Sequence, residues 1–230
     1  MNDSSEVSSL NFPATRDLWN TNRVEALSDG VFAIVMTLLV LELKVPALPR
    51  DAPTTEVWQG VRDLGPIFFS YFVTFALAGT FWYWHHQAFD EITHVDGLLF
   101  ALNLAFLSFV SLLPFSTAML GAFKLHQPVS LGCYFGNLLA LAILLTAFWS
   151  YATHAGLVVA TPAPISRRRV LPRVIVQALA CVAALSTLAF DTTLTMNTYA
   201  IVLLVGNVIV RWATRSPARP SRSGNPSGGG

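Results

Sequence analysis

The sequence predicts an all-α integral membrane protein with six transmembrane helices. Hydrophobic residues make up 53% of the 230 residues and charged residues only 12%, about half the charged fraction of an average soluble chain. The apolar residues fall into six runs of roughly the length that a membrane-spanning helix needs. The short alternating segments that are typical of a transmembrane β-barrel are absent from the sequence, which leaves the helical class.

The predicted spans follow one another with short connections. They cover residues 24–45, 61–84, 95–119, 130–159, 170–190 and 194–212. Pro46 closes the first span, and Pro114 is expected to kink the third, because proline cannot donate a backbone hydrogen bond and its ring clashes with the preceding turn. The longest connection, 47–60, is rich in proline and too short for a soluble catalytic domain.

Positive charge predicts the orientation, because short loops rich in arginine and lysine stay in the cytoplasm. With six spans both termini share one side, and ten of the fourteen basic residues lie on it. These are Arg16, Arg23, Arg167, Arg168, Arg169, Arg173, Arg211, Arg215, Arg219 and Arg222. The other side carries Lys44, Arg50, Arg62 and Lys124. We therefore expect a multi-pass protein of the cell membrane with both termini cytoplasmic.

The first span has an apolar stripe and a stripe of small residues. At 100° per residue, one face carries Leu27, Val31, Ile34, Leu38, Leu41 and Val45, with Thr37 at its edge. The second stripe consists of Ala26, Gly30, Ala33 and Thr37, a spacing that lets helix backbones approach closely. Periodicity alone indicates lipid exposure or core packing for the apolar stripe.

Two polar residues, Ser28 and Asp29, lie early in the same span and away from its apolar stripe. An acidic residue within a span usually faces protein or water and finds a partner. The candidate partners are Arg23 and the polar end of the second span, FWYWHHQAF. We expect a hydrogen-bonded cluster that anchors the helix, with a proton relay through Asp29 as the alternative.

The histidines do not predict a metal site. His85 and His86 are adjacent and project about 100° apart, whereas helical metal ligands are spaced i, i+3 or i, i+4. Together with Trp82 and Trp84 they are expected to form an interfacial aromatic belt, with pH sensing by either histidine as an alternative. No catalytic fingerprint, no TVGYG-like filter and no basic patch with interleaved aromatics is present. We therefore expect no enzyme, no cofactor and no nucleic-acid partner.

The start of the first span resembles the transmembrane protein 175 potassium channel family in its bacterial, six-span form. The family's Arg-x-x-x-Phe-Ser-Asp motif corresponds to Arg23, Leu27, Ser28 and Asp29, with leucine in place of phenylalanine. The stretches GVFAI and TLLVLELKVP continue the resemblance, and FWxxHH resembles the end of the second span.

The resemblance implies a homotetrameric, potassium-selective channel whose first helix lines a central pore without a filter loop. Ile34 would form the constriction, with Leu38 and Leu41 as further apolar rings and Thr37 as a hydroxyl layer. Permeant K⁺ would be the only bound ion, and selectivity over sodium would be modest. The partners would be further copies of the chain and membrane lipids.

By the same resemblance, Arg23, Ser28, Asp29, Trp82 and His85 would form a network that holds the pore helix. Residues 23–213 would be the channel domain, preceded by a cytoplasmic segment, 1–22, and followed by a disordered cytoplasmic tail, 214–230. The main alternative is a proton-coupled secondary transporter that uses Asp29 and His85. A membrane-embedded enzyme and a non-conducting, lipid-binding protein are further alternatives.

Overall fold

The computed structural model describes residues 20–123, 127–159 and 170–214, which form eight α-helices and one 3₁₀ turn. In chain order the helices are α1 (Thr21–Leu38), α2 (Thr54–Asp63), α3 (Gly65–Phe89), α4 (Gly97–Ser111), α5 (Leu113–Ala122), α6 (Pro128–His154), α7 (Leu171–Thr187) and α8 (Thr192–Ala213). The 3₁₀ turn, Leu39–Glu42, continues α1. These residues hold no strand beyond a single antiparallel bridge between Ile92 and Val158, so the all-α class is confirmed.

Five helical segments of the described chain are long and apolar enough to cross a membrane. They are Thr21–Glu42, Thr54–Phe89, Gly97–Ala122, Pro128–His154 and Thr192–Ala213. The predicted fifth span corresponds to α7, whose 17 residues rise about 26 Å and fall a little short of a hydrocarbon core of about 30 Å. The chain is a multi-pass membrane protein.

Several sequence predictions fall outside the described residues. They are the N-terminal segment as far as residue 19, the tail from residue 215, and the arginine run at 167–169. The stated bounds of the predicted domain therefore remain predictions.

Prolines explain where the structure departs from the predicted spans. The first span ends at Glu42 rather than Val45, because the ring of Pro46 would clash with the carbonyl of residue 42 in a continuing helix. The predicted loop 47–60 is only partly a loop, since α2 begins at Thr54. The predicted kink at Pro114 is present as a break between α4 and α5.

The helices pack around α1 and α6. Helix α1 contacts α3, α4 and α5, while α6 contacts α4, α5 and α7. Helices α7 and α8 pair closely at Gly206. A Cβ atom added to this glycine would lie only 2.5 Å from Cγ1 of Val176. The core between α1, α3, α4 and α6 is aromatic and contains Phe32, Phe81, Phe106 and Phe148. This core fixes the position of α1.

Candidate functional site

One face of α1 is packed into the protein. Val24, Ser28, Phe32, Val35 and Leu39 are all at most 3% exposed, and they recur every three or four residues. This spacing places them on one side of a helix. The ring of Phe32 lies 6.0 Å from that of Phe106 and packs against the aromatic core. Because this face is filled, the rotation of α1 within the subunit is fixed.

The face of α1 that carries Ile34 is only partly covered by the rest of the described chain. Ile34 is 60% exposed, Leu38 40% and Leu41 65%. Leu41 lies in the 3₁₀ turn, where side chains three residues apart eclipse, so it stays on the side of Leu38. We call Ile34, Thr37, Leu38 and Leu41 the exposed α1 face. It contains the four residues that the family resemblance places in the pore.

The hydroxyl of Thr37 within this face donates a hydrogen bond of 2.7 Å to the carbonyl oxygen of Ile34. A hydroxyl has one proton and two acceptor lone pairs. Because the hydroxyl proton is used in the hydrogen bond to the backbone carbonyl, the side chain presents its oxygen lone pairs and its methyl group to whatever covers the exposed α1 face.

The small-residue stripe lies beside the exposed α1 face. Ala26, Gly30 and Ala33 are exposed in the single chain, and a Cβ atom added at Gly30 would meet nothing within 4 Å. The stripe therefore allows close packing with an element outside the subunit rather than inside it.

A buried chain of hydrogen bonds joins α1 to α3 and α4. Asn103 Nδ2 donates to Ser28 Oγ at 3.1 Å, and His85 Nε2 lies 2.8 Å from Asn103 Oδ1. The Ser28 hydroxyl donates a hydrogen bond of 3.0 Å to the carbonyl oxygen of Val24. With His85 neutral and its proton on Nε2, all these donors find an acceptor. Asn103 is fully buried and bonds to both Ser28 and His85, so it is the centre of this link.

His85 is not the interfacial anchor that the sequence predicts. It is 1% exposed and lies within α3, which continues to Phe89. Its ring stacks on Phe106 at 5.2 Å with an interplanar angle of 6°, and on Phe148 at 5.7 Å. Trp84 is also buried, so only Trp82 and His86 of the predicted belt residues are accessible.

A second contact joins α1 to α3 through Asp29. Trp82 Nε1 donates a hydrogen bond of 2.8 Å to Asp29 Oδ1. The other candidate partner, Arg23, is exposed, and no acidic side chain of the described residues lies within ion-pair distance of it. Among the described residues, the hydrogen bonds of Asp29 and His85 belong to separate links.

A third contact lies one turn closer to the start of α1. His86 Nδ1 is 2.8 Å from Glu25 Oε1, and the His86 ring stacks on Trp82 at 5.5 Å with an interplanar angle of 11°. Asp90, four residues after His86, brings a second carboxylate to this place. The sequence predicts a bond from Asn103 to another helix but not its two partners, and it does not predict the contact between Glu25 and His86.

The two faces of α1 differ in their contacts. The polar contacts hold its first two turns against α3 and α4, while its exposed face remains available to other molecules.

Known proteins are similar to the part of the chain that contains α1. The family model described as endosomal/lysosomal potassium channel TMEM175 matches residues 23–114. A protein of Streptomyces collinus named a potassium channel is 37% identical over 139 residues, which are 59% of this chain and 66% of that protein. A protein of Chamaesiphon minutus that is also named a potassium channel is 36% identical over 137 residues, which are 59% of this chain and 67% of that protein. The match thus spans about two thirds of each relative.

The fold is similar to a solved structure. The crystal structure of a lysosomal potassium-selective channel TMEM175 homolog from Chamaesiphon minutus superposes with a TM-score of 0.67 at 26% sequence identity. The superposition covers 83% of this chain and 97% of that chain. The likeness therefore extends beyond the residues that the family model matches.

Proposed function

The chain belongs to the TMEM175 family, and we propose that it is a potassium channel that conducts through the exposed α1 face. The single observation that carries the proposal is the two-sided α1, which is packed on one face and exposed at Ile34 and Leu41 on the other. Two relatives are named potassium channels. The family is one of ion channels and not of enzymes.

Exposure alone does not distinguish a pore face from a lipid face. Helix α8 also exposes apolar residues, with Leu204 at 69%. Helix α1 differs because it lies against three other helices and opens the segment that the family model matches. These differences support a pore at α1 and lipid contact at α8.

The chemistry of the exposed α1 face favours selection by dehydration rather than by coordination. Leucine and isoleucine offer no oxygen to an ion, so a ring of them passes ions only while it is wide enough to stay wet. Ile34 would be the narrowest ring, with Leu38 and Leu41 beyond it. The Thr37 oxygens would be the nearest acceptors. Because K⁺ loses its water more readily than Na⁺, preference for K⁺ follows, but it is weaker than in a filter made of carbonyl oxygens.

A pore lined by one helix needs several copies of that helix. We propose a homotetramer in the cell membrane, surrounded by lipids and with both termini cytoplasmic. The open space at Gly30 and the exposed Ala26 and Ala33 support close approach of neighbouring subunits beside the pore. The excess of basic residues on the terminal side supports the orientation.

The polar residues of the first-helix motif have a supporting role in this proposal. Ser28 and His85 bind through Asn103, and Asp29 binds Trp82, all on the side of α1 away from the exposed face. They would hold the rotation of α1. Arg23 would belong to the cytoplasmic end of the same helix without an ion pair to the described residues of its own subunit.

The test is electrical recording of the purified protein in planar bilayers, with K⁺ and Na⁺ on opposite sides. We expect single-channel currents and a reversal potential displaced towards that of K⁺, unaffected when the proton gradient is collapsed. Absence of current, or flux that requires the proton gradient, would overturn the channel proposal. The second result would favour a proton-coupled transporter.

A substitution pair tests the conduction path. Ile34→Asn should hydrate the constriction and raise conductance; a barrier lower by about 1.4 kcal/mol raises a rate about tenfold. Leu204→Asn is the matched control, because this residue is similarly exposed but lies on α8. Equal currents in Ile34→Asn and the unchanged protein would place the pore elsewhere.

A further inference from the structure

We propose that Glu25, His86 and Asp90 form a binding site for a divalent transition-metal ion such as Zn²⁺. One ligand atom from each residue lies within 4.8 Å of the others. His86 and Asp90 are four residues apart at the end of α3, which places them on the same face of the helix. Glu25 comes from α1, so the site joins two helices.

The geometry requires only small movements to accept a metal. Zinc binds imidazole nitrogen and carboxylate oxygen at about 2.0–2.2 Å, which puts tetrahedral ligands about 3.3 Å apart. The 2.8 Å between His86 Nδ1 and Glu25 Oε1 would open slightly, and the exposed Asp90 side chain would close in. A metal would take the place of the proton that these two atoms share.

A fourth coordination position has room for water. A polar cavity of about 490 Å³ borders Glu25 and Asp90, and its other walls include Asn20, Asn22 and Thr93. Three protein ligands with a water in an open fourth position are a common arrangement for zinc. The cavity also gives a dissolved ion a path to the two carboxylates.

The orientation of His86 is held by its neighbours. Its ring stacks on Trp82, which in turn donates its hydrogen bond to Asp29 of α1. Nδ1 thus points to Glu25, and this nitrogen would be the ligand. Groups that orient a metal ligand commonly change metal affinity about 10–100-fold when they are removed.

Charge and ligand type indicate which ion fits. Two carboxylates around one neutral imidazole give a local charge of about −2, which a divalent cation neutralises. Imidazole nitrogen suits zinc, copper, nickel and cobalt, whereas calcium and magnesium prefer sites made only of oxygen. We therefore infer a transition metal rather than Ca²⁺ or Mg²⁺.

A metal at this site would fasten the first turns of α1 to the end of α3. Glu25 lies one turn before Ser28, on the helix that carries the exposed α1 face. An effect of the metal on current rests on the proposed channel function. The binding itself does not, and it can be measured without any current.

The test is titration of the complete, untagged protein in detergent with ZnCl₂ by calorimetry, and with CoCl₂ by its visible absorption. We expect one Zn²⁺ per chain in a background of excess Mg²⁺. Glu25→Gln, His86→Asn and Asp90→Asn should each raise the dissociation constant at least about tenfold. His154→Asn is the control, since this exposed histidine lies at the end of α6 and should leave binding unchanged.

Each outcome of the titration supports or overturns the metal site. Asp90 is exposed, so Asp90→Asn keeps the fold and still reports on the site if another variant fails to fold. No saturable Zn²⁺ binding, equal binding by Asp90→Asn and the unchanged protein, or loss of binding in His154→Asn would overturn the proposal. None of these results bears on potassium conduction, so the two proposals fail separately.

Discussion

Asn103 is the residue whose replacement most directly tests the anchoring of α1. It is fully buried and bonds to Ser28 on one helix and to His85 on another. Asn103→Leu keeps the branched shape of the side chain but replaces the amide with bulkier methyl groups, and it removes both bonds. The control substitution and the double-mutant cycle below separate the loss of hydrogen bonding from the change in packing.

The expected cost follows from the contacts that are lost. A hydrogen bond between membrane helices contributes about 0.6 kcal/mol on average, so two contribute about 1 kcal/mol. The His85 N–H is then left without an acceptor between the rings of Phe106 and Phe148. A buried unpaired donor adds about 1–3 kcal/mol. We expect the free energy of unfolding to fall by about 2–4 kcal/mol.

The assay is equilibrium unfolding in mixed micelles, followed by circular dichroism. Asn207→Leu is the matched control, because its amide bonds to the carbonyl of Leu203 on its own helix. A double-mutant cycle with Ser28→Ala should give a coupling energy of about 0.6 kcal/mol. If Asn103→Leu costs no more than Asn207→Leu, or if the coupling is zero, the anchoring argument is refuted.

Three further substitutions test other contacts. Trp82→Phe removes the donor to Asp29 and should lower the free energy of unfolding by about 1–2 kcal/mol in the same assay, with an unchanged K⁺/Na⁺ reversal potential. A valine side chain at residue 30 has open space in the single chain, so Gly30→Val should leave the helical content intact. It should reduce the fraction of tetramer that light scattering measures. An unchanged fraction would show that the small-residue stripe does not lie in the subunit interface. Gly206→Val would press on Val176 and should cost about 1–3 kcal/mol of unfolding free energy, and no loss would contradict the close packing of α7 and α8.

The sequence predicts the features that depend on local composition. The apolar runs predict the membrane helices, and Pro114 predicts the break between α4 and α5. The apolar stripe of α1 also follows from periodicity, since Ile34 and Leu38 fall on one face and Asp29 lies away from it. Periodicity does not say which molecule covers the exposed face; the family resemblance supplies the pore.

The sequence predicts that Asp29 contacts the polar end of the second span, but it does not predict most of the side-chain pairs that join distant helices. Hydropathy places His85 near the end of a span, but its burial depends on Asn103 of α4 and on four phenylalanine rings around it. Similarly, the spacing of His86 and Asp90 is visible in the sequence. Only the packing of α1 on α3 brings Glu25 to them.

The distribution of contacts along α1 connects the anchoring residues to the exposed α1 face. The polar contacts to α3 and α4 lie in the first two turns, at Glu25, Ser28 and Asp29, while the later buried positions, Phe32 and Val35, are apolar. Hydrogen bonds depend on direction, and the filled apolar face fits closely against the core. The polar contacts and the buried face together therefore set the rotation that turns Ile34 away from the core. For this reason, substitutions in the anchoring contacts should change stability and assembly, whereas substitutions in the exposed α1 face should change conduction.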